Sequence, residues 1–184
     1  MNATPILLFA FLALASCSGE SPQDALFAQQ AATRTTDFQE ALRQELTTAM
    51  VKGGPAAAIE VCSVRAPALA VEHSTEGLRV RRIGTRTRNP GNASSSRDEA
   101  ALKQLAAQPL GKASAITLVD ERTGKRAHYA PILTAAPCLM CHGMKESLTQ
   151  EVTAALAARY PEDRATGYEL GDLRGAVVVE QDAK

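Results

Sequence analysis

The sequence predicts an α+β domain with a mainly antiparallel sheet, and three observations predict it. Apolar residues recur at three- and four-residue steps over 24–50 and again after residue 55, the spacing of amphipathic helices. Short runs at 78–83, 115–119, 126–132 and 173–180 have strand character. Helices come first, strands interrupted by helices follow, and no internal repeat is visible, an order that suits α+β.

The first helix carries Leu26, Phe27, Ala31, Phe38, Ala41, Leu42, Leu46 and Met50 at its periodic positions. Gly53-Gly54-Pro55 ends it, because Gly caps a helix and Pro cannot continue one. Pro is tolerated in a first turn, so a second helix starts at Pro55 and runs toward Glu72. Pro67 should kink or split it near Arg65. Residues 78–83 alternate Leu78, Val80 and Ile83 with Arg79, Arg81 and Arg82, a strand with a basic edge. Arg88-Asn89-Pro90-Gly91-Asn92 and the serines through Ser96 form a long loop. Asp98 or a nearby Ser caps a helix bearing Leu102 and Leu105. Residues 115–119 and 126–132 form a hairpin around Gly124. A helix over 146–159 and a last strand over 173–180, with Val177, Val178 and Val179, complete the domain.

The 184 residues suffice for one domain with a real core, and 45% hydrophobic against 22% charged content excludes a disordered chain. Twenty basic and 20 acidic side chains balance, which argues against a nucleic-acid partner. No apolar run reaches the roughly 20 residues of a spanning helix. Trp is absent and aromatics are 4%, so the core is mostly aliphatic. The four Cys become the most informative residues.

Ile6 to Ala15 is an unbroken apolar run, too short to span, followed by Ser16-Cys17 and then Ser18-Gly19-Glu20. The pattern resembles a bacterial lipoprotein signal, although Met1 to Pro5 lacks Lys and Arg. The resemblance implies a signal peptide over 1–16, lipidation of Cys17, a tether over 17–23 and a folded domain over 24–184. The protein would be a periplasm-facing, membrane-anchored lipoprotein, its remaining Cys in an oxidising compartment. Ser18 offers no acidic retention signal, which favours the outer membrane.

Cys138-Leu139-Met140-Cys141-His142 is the attachment motif of a c-type haem. Two thiols three positions apart can each join one vinyl group, and the next His can ligate the iron. A thioredoxin-like pair lacks its βαβ context here, while a zinc site from Cys62, Cys138, Cys141 and His142, or a disulfide, is an alternative. Export and the following His favour one covalently attached haem c. Cys62, His73, His128, Met50, Met144 and an open position compete for the second axial place. Cys62 shares a helical face with Ala58, Ile59, Ala66 and Leu69, which turns its thiol toward the core. His128 ranks next. Arg81, Arg82 and Arg88, with Asn89 as a loop donor, are suited to the two haem propionates.

Four segments together resemble the PAS-like haem c domain family of exported bacterial and cyanobacterial proteins and some sensor kinases. They are Ile59-Glu60-Val61-Cys62-Ser63 with Ala66-Pro67; Val80-Arg81-Arg82-Ile83 with Arg88-Asn89-Pro90-Gly91-Asn92; Ala130-Pro131-Ile132 with the haem motif and Gly143; and Gly171-Asp172-Leu173-Arg174-Gly175-Ala176. The resemblance implies a PAS-like sheet with flanking helices and axial ligation by His142 and the Cys62 thiolate. Ala93-Ser94-Ser95-Ser96 departs from the family's usual loop. A thiolate stabilises ferric iron, so the expected potential is low. The expected role is electron transfer, or redox or ligand sensing with a redox or signalling partner, rather than catalysis. The alternatives are a thiol–disulfide enzyme using Cys138 and Cys141 and a haem enzyme with an open site.

Overall fold

The computed structural model describes residues 21–75 and 77–181. The expected signal peptide, Cys17 and most of the tether lie outside the described residues. Helix α1, Pro22–Glu60, starts inside the segment expected as tether, where Ser21 caps it by accepting from the Asp24 amide at 3.1 Å. Its regular path breaks at Gly53 (φ −151°) and Gly54 (φ +68°), and Pro55 opens the next stretch. Only Gly adopts the positive φ cheaply, so the predicted breaker acts as a reversal. The two arms then run antiparallel: the Phe38 and His73 rings meet edge-on at 5.9 Å, and Arg65 donates to Glu45 at 3.0 Å.

The second arm is divided as Pro67 requires. Val61–Arg65 is a π-helical turn, followed by helix α2, Ala66–Glu72. Proline has no amide to donate, so the ladder ahead of it loosens into the wider turn.

Strands β1 (Arg79–Gly84), β2 (Ile116–Val119), β3 (Arg126–Leu133) and β4 (Leu173–Gln181) form one sheet in the order β1-β4-β3-β2, with every neighbour antiparallel. This is the α+β, PAS-like architecture expected. The last strand inserts between the first and third. On one face Val80, Val177 and Val179 pack against Phe27, Ala31 and Phe38 of α1 and Leu69 of α2. Leu26, expected on that stripe, points outward at 55% exposure. On the other face Ile83, Tyr129, Ala176 and Val178 pack against Leu102 and Leu105 of α3, Ser96–Ala106. The helix expected from 146 starts later. Lys145–Ser147 is a 3₁₀ turn, and Thr149 caps α5, Gln150–Arg159.

A buried polar knot pins α3 to the sheet. The Ser95 hydroxyl and the Asp98 carboxylate form a reciprocal cap. Asp98, 2% exposed, also accepts from Arg81 Nη2 at 2.7 Å and the Tyr129 hydroxyl at 3.2 Å. Arg81 Nη2 reaches Glu180 as well, at 2.6 Å. Burial pushes the Asp98 carboxyl up, but bonds from Arg81 and Ser95 outweigh it and hold it below its ordinary 3.8. A depressed carboxyl contributes stability above its unfolded value and loses it as pH falls through the folded one. Asp98→Asn should therefore be less stable than wild type at pH 7 and show a shallower loss of stability below about pH 4 in urea unfolding. Parallel acid limbs in the two proteins would show that Asp98 does not carry this dependence.

Candidate functional site

Gly84 at the end of β1, Gly175 near the start of β4 and Ile132 near the end of β3 lie side by side, and the loops after β1 and β3 run on from this edge of the sheet. Cys138 ends a 3₁₀ turn, Ala136–Cys138, and the single-turn helix α4, Leu139–His142, follows directly. Cys138 and Cys141 thus lie one helical turn apart, as their spacing requires. Cys62 approaches from the π turn. It is close enough to Cys141, Tyr160 and Arg174 to act on them electrostatically, but among the described residues no three His, Cys, Asp or Glu side chains stand close enough to share one metal ion. All three described cysteines are free and half-buried.

His142 is fixed in one tautomer. Its Nδ1 lies 2.7 Å from the Ala165 carbonyl oxygen. A carbonyl only accepts, so Nδ1 carries the proton and Nε2 keeps a lone pair. Burial, with repulsion from Arg174 and Arg88, pushes the imidazole down to about 2, and it is neutral at ordinary pH. Burial pushes the Cys141 thiol up, and Arg88 pulls against it. A neutral imidazole with a bare nitrogen and several thiols is a donor set for iron or zinc. His128 instead bonds Thr117 Oγ1 through Nδ1 at 2.9 Å within the sheet. His73 caps α2 against Phe38.

The loop after β1 holds the cluster. Arg88, with a side chain 8% exposed, donates Nη2 to the Cys141 carbonyl at 2.6 Å and the Ala165 carbonyl at 3.3 Å. The same nitrogen pairs with Asp163 at 3.0 Å. Arg86 donates to the Thr166 and Gly167 carbonyls and lies 4.5 Å over the Tyr168 ring. Backbone bonds from Gly167 to Gly143 (2.8 Å) and Tyr168 to His142 (3.0 Å) complete the join. The side chain of Asn89 accepts from Gly91 at 2.9 Å and caps the 3₁₀ turn Pro90–Asn92.

The structure separates the arginines singled out from sequence. Arg81 and Arg82 are neighbours on a strand and must face opposite ways. Arg81 joins the Asp98 knot beneath α3 through its guanidinium and also borders the larger cleft beside Cys62. Arg82 lines both clefts of the site, one of about 50 Å³ beside His142 and Arg174 and one of about 200 Å³ beside Cys62, Ala66 and Asn89. Arg174 is a site residue that sequence reasoning missed. Its signal lay in Leu173-Arg174-Gly175, where a Gly inside a strand marks a bulge.

A family model described as Tll0287-like matches residues 20–181. No curated protein matches the chain. Among solved structures, one described as the crystal structure of the cyanobacterial heme-protein Tll0287 has a TM-score of 0.63 at 23% identity. The match covers 90% of this chain and 98% of that one.

Replacing Arg88 with Ala leaves the half-buried Asp163 carboxylate without its cation and the Cys141 carbonyl without its donor, and should cost about 3 kcal/mol in urea unfolding. Arg88→Lys keeps the charge without the fork and should fall between Ala and wild type. A loss under about 0.5 kcal/mol for Arg88→Ala would show that the clamp holds nothing.

Proposed function

The chain belongs to the Tll0287-like family, and from that premise we propose that it binds one covalently attached haem and transfers electrons. The observation that carries this reading is the Cys138 and Cys141 pair one helical turn apart, followed directly by a single-tautomer His142, with Cys62 within electrostatic reach from the π turn. The donor chemistry fits: two thiols one turn apart for thioethers, a bare imidazole nitrogen beside them, and a third thiol on the neighbouring π turn. The buried Nε atoms of Arg81, Arg82, Arg88 and Arg174 have no partner among the described residues; Arg81 and Arg88 bond through their other nitrogens, whereas Arg82 and Arg174 make no other bond, as expected of cations left for an anionic group. The clefts are smaller than an ordinary cofactor pocket of about 300 Å³ or more, so the side chains lining them, Arg82 foremost, would turn aside.

The haem supplies one-electron chemistry. The protein's part is positioning. Cys138 and Cys141 would tether, and His142 Nε2 and the Cys62 thiolate would ligate the iron. Arg88 fixes the Cys141 carbonyl and the Ala165 carbonyl that orients His142, so the imidazole is held before anything binds. A Cys62 thiolate adds negative charge and favours the ferric state, giving a low potential. A redox- or ligand-sensing reading has its own support. Cys62 stands in a π turn ahead of Pro67, where the helix ladder is weakest and a ligand is most easily released. An outer-membrane lipoprotein anchored through Cys17 completes the proposal and gives the exported thiols their setting.

Expression with the haem c maturation machinery and visible spectra test the core of this reading. Wild type should give a low-spin haem c spectrum, and Cys62→Ala should turn it high-spin. A haem spectrum unchanged in Cys62→Ala would move the second ligand elsewhere, and a colourless wild type would favour the thiol or zinc readings. Cys17→Ser should shift the protein from the outer-membrane to the soluble fraction. A wild type already soluble would remove the anchor from the proposal.

A further inference from the structure

Resting on the haem reading, we propose that Arg174 and Arg82 form a carboxylate clamp for the two haem propionates, and that the Gly175 bulge exists to deliver Arg174 to it. The register of β3 against β4 steps from Ile132↔Gly175 to Leu133↔Leu173, leaving Arg174 as the extra residue. Leu173, Ala176 and Val178 pack on the α3 face, whereas Val177 and Val179 face α1. Without the bulge, strict alternation would put Arg174 with Ala176 and Val178, beneath α3. With it, Arg174 lines the cleft of His142, Arg82 and Ile132. Gly175 is required because a Cβ there would overlap the Ile83 carbonyl oxygen of β1.

The charges around the cleft do not balance within the protein. Arg86 and Arg88 spend their nitrogens on backbone carbonyls, and Asp163 is taken by Arg88. Arg82 and Arg174 make no hydrogen bond or ion pair among the described residues, and the Nε of each is buried. Two half-buried cations whose buried Nε atoms lack partners are costly and call for negative charge. Arg presents a planar fork suited to carboxylates. The matching ligand is a dicarboxylate whose apolar body can lie against Ile132 and Ala66, the class to which the haem's propionate edge belongs.

The test uses the mature chain carrying Cys138→Ala and Cys141→Ala, which leaves His142 and Cys62 to hold a porphyrin without thioethers. Ferric protoporphyrin IX and its dimethyl ester are titrated against it by Soret absorbance. Arg174→Met should weaken the diacid about tenfold or more and leave the ester unchanged, and Arg174→Lys should recover part of the loss. Equal losses for both porphyrins, or none for the diacid, overturn the clamp while leaving the haem reading intact. A parent that binds neither porphyrin overturns the clamp, whereas the haem reading falls only if the wild-type chain matures colourless. Thermal melting of the porphyrin-free proteins separates the clamp from a structural role. Loss of an unpartnered buried charge should raise the melting temperature in Arg174→Met, and a fall would make Arg174 structural. Succinate, added to the porphyrin-free parent, should leave its melting temperature unchanged. An Arg174-dependent rise would assign the site to free dicarboxylates and overturn the propionate assignment.

Discussion

The site depends on one buried guanidinium. Cys138, Cys141 and His142 lie on 134–149, and the Ala165 carbonyl that orients His142 lies on 160–172, stretches with little regular structure of their own. Helix α4 is a single turn and cannot fix its own orientation. Arg88 supplies what secondary structure does not. From a third segment it joins the Cys141 carbonyl, the Ala165 carbonyl and Asp163. Ala165 in turn sets the proton on His142. The direction of the imidazole is thus fixed at second hand, by a residue that never touches it.

The cations around His142 explain both the site's chemistry and its cost. They reinforce burial in keeping the imidazole neutral, the form in which it can donate a lone pair. They also pull down the Cys141 thiol against burial. Burial holds the Arg174 guanidinium below its usual range, the mark of a charge kept where it is not solvated. The Asp98 knot shows the contrasting arrangement. There Arg81 meets two carboxylates at 2.7 and 2.6 Å, and the charges close on themselves. One face of β1 therefore spends its arginine on stability, and the other holds its arginine open.

Much of this was legible in the sequence. The Cys-x-x-Cys-His spacing put its two thiols one helical turn apart, and Gly53-Gly54-Pro55 marked the reversal between helices. Each is a local signal, complete within a few residues. What stayed hidden depends on pairing between distant segments. The insertion of β4 between β1 and β3 has no local signature, and neither does the bulge that redirects Arg174. Arg88 reads as a free loop cation until its carbonyl partners, 53 and 77 residues away, are known. The division between Arg81 and Arg82 was within reach, since strand alternation alone separates them. Leu26 misled because the buried stripe runs through Phe27, Ala31 and Phe38, which turns the residue before Phe27 outward.

The double-glycine reversal in α1 also sets a distance. The first arm climbs without interruption from Ser21 to Gly53, and the second returns alongside it, level with Glu45 where Arg65 crosses. At about 1.5 Å per residue, the thiol cluster stands roughly 35 Å up the arm from the chain's entry at Ser21. The hairpin is a mast. A surface that gripped the chain ahead of Ser21 would carry the cluster at its far end, presented outward to whatever diffuses past rather than to the surface itself.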